Sequence, residues 1–306
     1  MNEQILISGY GSIGRRHAQV LSKLINKKNI TILTKQKVHN FHTVKSISQL
    51  EKINPSYIVI CNPTNDHVKK VKFIEKNFKN KLVLVEKPLF HKKFKIKTKK
   101  NKFFVGYNLR FNPIIRFLKK KLKSQIIWNV NVFCGSYLPD WRKNIDYRKS
   151  YSSKKNLGGG VINDLSHEID YVQWLFGKIK IEHGQVSKLS NFKIQTEDFM
   201  NLIGRTKKVP SIQITLSYFR KDSVRRILVD GKNISIEADL NKKTVILHEG
   251  NKKKIYNFKN SFRNEEFKNQ HLAILKKKSY SNLCSFKEGQ QIVNLISKIK
   301  TRSKKR

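Results

Sequence analysis

Short apolar runs and amphipathic stretches alternate along the first third of the chain. Ile5-Leu6-Ile7 reads as a strand, Arg16 to Ile25 as a helix and Asn29 to Leu33 as a second strand. Ser46 to Ile53 reads as a short helix, Tyr57 to Cys61 as a strand and Asp66 to Phe78 as a helix. Leu82 to Val85 and Phe103-Phe104-Val105 complete the strands. Repetition of strand and helix predicts a parallel sheet with crossover helices. Two connections are compressed. Twelve residues, Thr34 to Lys45, follow the second strand, and fourteen, seven of them lysine, lie between Pro88 and Phe103. A parallel crossover needs about a dozen residues or more, so any helix in the second connection is short.

The remainder has a different pattern. Ile114 to Leu122 predicts a helix and Ile126 to Phe133 a β run, followed by an aromatic and charged loop, Tyr137 to Tyr151. Gly158-Gly159-Gly160 introduces an amphipathic helix from Val161 to Phe176. From Ile179 to Phe258 apolar and polar residues alternate, as in "SIQITLSYF" and "TVILHEG", with Gly and Asn between the runs. That is the signature of antiparallel hairpins. Arg263 to Lys276 and Phe286 to Lys298 predict two closing helices, and Thr301 to Arg306 a frayed basic tail.

Composition narrows the picture. Hydrophobic residues at 38% and aromatics at 10% supply a sizeable core, which excludes wholesale disorder. No apolar run approaches the roughly 20 residues of a membrane span, and Ile5-Leu6-Ile7 breaks at once into Ser8-Gly9, unlike a signal peptide. Cys61, Cys134 and Cys284 are too scattered for a disulfide framework or a metal cluster. A soluble, reduced, cytoplasmic protein with no bound metal is expected. The net charge is +44, from 65 basic and 21 acidic residues. Such a surplus suits a nucleic-acid binder. Yet the lysines are spread from Lys92-Lys93 to Lys304-Lys305 and no nucleic-acid motif accompanies them. Nucleic acid is therefore not the expected partner, whereas phosphorylated cofactors and sugars suit the field.

Gly9-Tyr10-Gly11-Ser12-Ile13-Gly14 is a G-x-G-x-x-G placed between a predicted strand and a predicted helix, the context a dinucleotide fingerprint requires. Its glycines permit a tight turn, close approach of backbone to a pyrophosphate, and packing of helix on strand. An acidic residue about 20 positions on would favour NAD. Thr34-Lys35-Gln36-Lys37 stands there instead, a better match to a 2′-phosphate and a lean toward NADP. Asn62-Pro63-Thr64-Asn65-Asp66-His67 follows the third strand at the edge where ligands of open α/β sheets bind, and Asp66 equally suits a helix N-cap. Glu86-Lys87-Pro88 ends the next strand at that edge. A lysine leaving Leu82-Val83-Leu84-Val85 is placed to hydrogen-bond a substrate hydroxyl or help move a proton; the plain alternative is a solvated charge. Asp164, His167 and Asp170 follow the three glycines at spacings of three, one face of a helix continued by Tyr171 and Trp174. A carboxylate orienting a histidine is a general-base pair or, equally, a structural hydrogen bond.

In their order these segments resemble the Gfo/Idh/MocA oxidoreductases, the family of glucose–fructose oxidoreductase and inositol dehydrogenase. The matching stretches are "GYGSIGRRHA", "VICNPTNDH", "VEKPL", "GYNLRFNP", "GGGVINDLSHEIDYVQWLFG" and "SFKEGQQIVNLISKI". The resemblance implies an α/β chain. A Rossmann domain with a doubly wound parallel sheet would span residues 1–107. An α+β domain with an open, mostly antiparallel sheet would span 108–306, its C-terminal helix packing back on the first. It implies NAD or NADP, a sugar, cyclitol or sugar-nucleotide substrate, and a homo-oligomer, dimer or tetramer, formed through the second sheet. Lys87, Asp164 and His167 become the catalytic residues. Gly9, Gly11, Ser12, Ile13, Gly14, Thr34, Lys35, Asn62, Pro63, Thr64, His67, Glu86 and Lys87 become cofactor contacts. Tyr107, Asn108, Arg110, Tyr137, Trp141, Arg142, Asp164 and His167 become substrate contacts. The segment "YLPDWR" is most similar to members in surface-polysaccharide pathways. The family spaces its Asp and His four apart with a glycine between; here the spacing is three, with Ser166 between them, and Asp170 is a further candidate. That departure keeps open an alternative, a non-catalytic cofactor-binding regulator or partner subunit.

Overall fold

A computed structural model describes residues 3–46, 49–142, 145–258, 264–277 and 279–303. Residues 47–48 of the expected short helix, 143–144 of the aromatic loop, Arg263 of the penultimate helix and Lys304 to Arg306 of the tail lie outside the described residues. The elements run β1 (Ile5–Ser8), α1 (Ser12–Leu21), β2 (Ile30–Leu33), β3 (His42–Val44), α2 (Leu50–Ile53), β4 (Tyr57–Ile60), α3 (Thr64–Asn77), β5 (Leu82–Val85) and β6 (Lys102–Val105). They continue with α4 (Pro113–Lys121), β7 (Ile127–Gly135), α5 (Val161–Asp164), α6 (His167–Phe176), β8 (Lys180–Ser187), β9 (Phe199–Arg205), β10 (Ser211–Ser217) and β11 (Val224–Gly231). Last come β12 (Ile234–Asp239), β13 (Thr244–Glu249), β14 (Lys252–Asn257), α7 (Glu265–Leu275), β15 (Cys284–Ser285) and α8 (Phe286–Ser303). Two compact units result, Met1–Phe111 with Arg263–Gln291, and Asn112–Phe262 with Ile292–Arg306. The sequence boundary at 107/108 thus falls just before the first unit's Phe111, and the first unit also takes in a late segment, 263–291.

The first unit holds a seven-stranded sheet in the order β15-β6-β5-β4-β1-β2-β3. β1 to β6 are parallel, and β15 adds an antiparallel edge through Cys284 beside Val105. Read along the sheet, β3-β2-β1-β4-β5-β6 is the doubly wound order, with its reversal between β1 and β4. β1, β2 and β4 are buried at every position, as a sheet covered on both faces demands. β3 was not expected from the sequence: it is three residues long and only Val44 is buried, so it has no readable period. The lysine-rich crossover forms no helix. From Lys93 to Lys99 exposed lysines alternate with half-buried Phe94, Ile96 and Thr98, the period of an extended chain. Glu75 accepts the backbone N–H groups of Lys99 and Lys100, and the Gln290 amide donates to the Ile96 carbonyl at 2.9 Å. Repulsion between lysines four apart opposes the helical alternative.

The second unit holds an eight-stranded sheet, β14-β13-β12-β11-β7-β10-β9-β8. Every pair is antiparallel except β7 with β10. Two expectations are corrected here. The helix read from Val161 to Phe176 breaks at Leu165-Ser166 into α5 and α6. The Ser166 hydroxyl donates to the Asn163 carbonyl at 2.9 Å, a local bond that competes with the helical ladder. The tail is helical through Ser303, whose hydroxyl donates to the Val186 carbonyl at 3.0 Å and accepts the Val186 N–H at 2.8 Å.

Candidate active site

In the first unit the glycine-rich turn lies at the carboxyl end of β1, beside the sheet's reversal. Gly9 has φ +94°, and a Cβ there would stand 2.9 Å from the Cys61 carbonyl carbon. A Cβ on Gly14 would stand 2.1 Å from the Gly9 oxygen, so α1 lies against the turn. A Cβ on Gly11 would meet nothing within 4 Å; here the glycine leaves space rather than avoiding a clash. α1 starts at Ser12, four residues earlier than its periodicity suggests, and no side chain caps it. Backbone N–H groups at an uncapped helix start beside open space form a cradle for a pyrophosphate. Ser12 is exposed and Ile13 half-buried at its rim. Thr34 and Lys35 follow β2, with Lys35 exposed. Arg15 adds a cation that the sequence reading overlooked: it lies over the Tyr10 ring at 5.4 Å and donates to the Gln36 side chain at 3.4 Å.

The Asn62 and Glu86 loops are tied to this cradle's sheet from within. The Ser8 hydroxyl donates to the Asn62 side chain at 2.7 Å. His67, read as a cofactor contact, is 1% exposed. Its Nε2 lies 2.8 Å from the Asn62 carbonyl, and its Nδ1 3.2 and 3.1 Å from those of Pro88 and Leu89. It ties the two loops together. Burial pushes its imidazole below the ordinary range, and the carbonyl bonds oppose that push. Pro63 is exposed and Thr64 buried at the start of α3. Glu86 is 7% exposed, with Oε1 at 3.0 Å from His17 Nε2 and Oε2 accepting the Lys87 N–H at 3.2 Å. Lys87 itself is half-buried.

Tyr107, Asn108 and Arg110, read as substrate contacts, are all buried in the first unit. Arg110 donates to the Glu288 carboxylate at 2.9 Å and to the Leu283 carbonyl at 3.3 Å.

In the second unit the three glycines prepare a turn into α5. Gly160 has φ +113°, and a Cβ there would meet the Glu197 carboxylate at 2.5 Å. Asp164 closes α5 and His167 opens α6, so the two do not share a helix face as their spacing suggested. One partner of Asp164 is Tyr218, whose hydroxyl donates to Oδ2 at 2.6 Å. Tyr218 is fully buried; burial first, then the Asp164 charge, raise its phenol well above the ordinary value and keep it a donor. Trp141 packs edge-on against Tyr218, centroids 5.2 Å apart, and its indole N–H donates to Ser136 at 2.8 Å. Thus Asp164 and Trp141 meet through a residue the sequence reading missed. Arg142, next to Trp141, is exposed, and Lys221 Nζ lies 3.5 Å from the centre of the half-buried Tyr137 ring. Asp170 is 1% exposed on α6. Among the described residues no group of three His, Cys, Asp or Glu side chains is arranged to hold a metal, and no helix is long and apolar enough to cross a membrane.

The chain has the fold of several solved sugar dehydrogenases. The WlbA dehydrogenase from Bordetella pertussis, solved with NADH and UDP-GlcNAcA, superposes with a TM-score of 0.79 at 16% identity over 99% of this chain and 97% of its own. UDP-N-acetylglucosamine 3-dehydrogenase GnnA from Acidithiobacillus ferrooxidans gives 0.76 at 13% identity, over 99% and 98%. A levoglucosan dehydrogenase solved with NADH and levoglucosan gives 0.83 at 14% identity, over 98% and 96%. Among curated proteins none matches in sequence. The resemblance drawn from the motifs is thus joined by two findings: a shared fold over nearly the whole chain, and a match of residues 115–237 to the family model of the GFO/IDH/MocA C-terminal domain.

Proposed function

We propose that this chain is an NAD(P)-dependent oxidoreductase that acts on a CH–OH group of a sugar, with sugar nucleotides as the favoured class. The observation that carries the reading is the glycine cradle at the β1/β4 reversal, where Gly11 leaves room for a pyrophosphate and α1 opens uncapped toward it. The fold shared with dehydrogenases solved with NADH and with a UDP-sugar supports it, as does a net charge of +44, which suits a phosphorylated substrate.

A bound nicotinamide would supply a hydride acceptor or donor. The Gly9–Gly14 turn holds the pyrophosphate and the Asn62-Pro63-Thr64 loop borders the cofactor. Thr34 and Lys35, with Arg15, suit a 2′-phosphate, and NADP is the cofactor we favour. His167 takes the proton of the reacting hydroxyl in oxidation or returns it in reduction, Asp164 orients the substrate hydroxyl or the imidazole, and Lys87 stabilises the developing oxyanion. Tyr137, Trp141 and Arg142 contact the substrate; buried Tyr107, Asn108 and Arg110 shape its support. The uncovered sheet face of the second unit is proposed as the surface of a homo-oligomer. In register across it stand Ile255, Ile246, Glu237, Leu228, Asn131, Gln213 and Ile203. Of these Ile255 is 60%, Ile203 39% and Leu228 38% exposed.

Fluorescence titration with NADH and NADPH, followed by a hydride-transfer assay over UDP-sugars and free sugars, tests the reading. Saturable binding that Gly11→Trp abolishes, with turnover that Lys87→Ala and His167→Ala abolish while binding survives, is expected. Binding without turnover on any sugar would favour the regulator reading, and no saturable binding would overturn both.

A further inference from the structure

Four buried polar side chains in the first unit form one unbroken chain. Tyr57 on β4, His271 on α7 and His17 on α1 are 0% exposed, and Glu86 after β5 is 7% exposed. The Tyr57 hydroxyl lies 2.8 Å from His271 Nδ1. His271 Nε2 lies 2.8 Å from His17 Nδ1. His17 Nε2 lies 3.0 Å from Glu86 Oε1. All four ring nitrogens are thus engaged, and the other Glu86 oxygen accepts the backbone N–H of Lys87 at 3.2 Å.

The chemistry of the groups gives this chain a direction. With Glu86 Oε1 as the acceptor, the His17 proton sits on Nε2 and points at Glu86. His17 Nδ1 is then an acceptor, which places the His271 proton on Nε2. His271 Nδ1 accepts in turn from the Tyr57 hydroxyl. Two neutral rings and one carboxyl group satisfy every link, and each donor is polarised toward Glu86. Burial is the largest cause that pushes His271 well below the ordinary imidazole range, which keeps that ring neutral. Burial is the largest cause that raises the Tyr57 phenol well above its ordinary value, which keeps it protonated. The surroundings allow the carboxyl group little freedom: a Cβ on Gly106 would lie 2.5 Å from Glu86 Oε1, so the carboxyl group packs directly on that backbone.

We infer that Tyr57, His271 and His17 are positioning residues that hold the Glu86 carboxyl group as an acceptor in one orientation, and that Glu86 in turn fixes the backbone at Lys87. The inference rests on the reading of Lys87 as a catalytic residue. His271 acts through two intermediaries, His17 and Glu86, so its removal spares the cofactor cradle and the second unit. It changes how accurately Lys87 is presented.

The experiment compares wild type, His271→Phe and His271→Gln. Phenylalanine fills the space and breaks the chain; glutamine offers a donor and an acceptor in one side chain. For His271→Phe, kcat is expected to fall by about tenfold to a hundredfold through loss of alignment. Cofactor Kd and sugar KM stay within about threefold. His271→Gln regains most of kcat. Imidazole nitrogen NMR of wild type is expected to show His17 and His271 as neutral rings protonated on Nε2. Full kcat in His271→Phe, an equal loss in both variants, or a His17 ring protonated on Nδ1 would each overturn the inference. If His271→Phe does not fold, the glutamine variant and the wild-type tautomers decide. If wild type turns over no sugar, the functional reading fails, and the tautomers still decide whether the polarised chain exists.

Discussion

The two units build their candidate sites from different material. In the first, the cradle is made of backbone: Gly9, Gly11 and Gly14 matter for what they lack. In the second, the arrangement is made of side chains drawn from distant positions, with Asp164 on α5 held by Tyr218 past the end of β10. Backbone sites depend on local geometry and leave a compact signature in sequence. Side-chain sites depend on strand register, and partners they draw from distant strands, such as Tyr218, leave none.

The sharpest way to break that contrast is to add one methyl group to each unit. Gly14→Ala places a Cβ 2.1 Å from the Gly9 oxygen, which neither α1 nor the turn can yield. A destabilisation of about 4 kcal/mol or more, of the size that marks strain at a special backbone position, is expected, together with the loss of saturable NAD(P)H binding. Gly160→Ala also strains the backbone, at φ +113°, but its close neighbour is the end of the Glu197 side chain. It is expected to lose about 1–3 kcal/mol and to keep cofactor affinity. Thermal unfolding and cofactor titration on both variants decide. Normal binding by Gly14→Ala would remove the cradle from the first unit.

That contrast also explains what was legible beforehand. Strands β1, β2, β4, β5 and β6 could be read because parallel buried strands are continuous apolar runs, and the fingerprint marked the turn after β1. α1 was placed four residues late because Ser12 to Arg15 belong to the helix through the turn's geometry, without an apolar period of their own. β3 and the extended lysine crossover escaped for want of length or of a helical signal. Asp164 and His167 could be found through neighbouring glycines, but their helix break could not, because it depends on one serine hydroxyl. Tyr218 lies 54 residues from Asp164 and sits in an ordinary alternating run. His17 was in plain view within "GYGSIGRRHA", yet nothing local pairs it with His271, 254 residues away.

A smaller step sharpens the second unit's side of the comparison. Tyr218→Phe removes the donor to Asp164 while keeping the ring against Trp141. Losing a hydrogen bond to a carboxylate is expected to destabilise by about 1.5–3 kcal/mol. Cofactor Kd should stay within about twofold and kcat should fall at least about tenfold. Unchanged kcat would show that the Tyr218–Asp164 pair serves the fold alone.

The smallest expected effect belongs to the first unit and is electrostatic. Burial alone would raise Glu288, but the Arg110 guanidinium and the Ser285 hydrogen bonds outweigh it and hold the carboxyl below its ordinary value. A carboxylate lowered by folding stabilises the native state fully above its unfolded value, about 4.5. That contribution is lost as pH falls through the lower folded value. Glu288→Gln should therefore be less stable than wild type near neutral pH, and the gap should narrow on acidification through that window. The pH-dependent part should stay under about 1 kcal/mol, because the Glu288 side chain is 37% exposed and water screens the pair. Urea unfolding of both proteins across the acid range checks it. A gap that widens as pH falls would contradict the sign, and with it the assignment of Arg110 as the buried charge that Glu288 neutralises. Arg110 would then be a candidate to serve a ligand, and the first unit, like the second, would carry a side-chain site that the glycine fingerprint does not reveal.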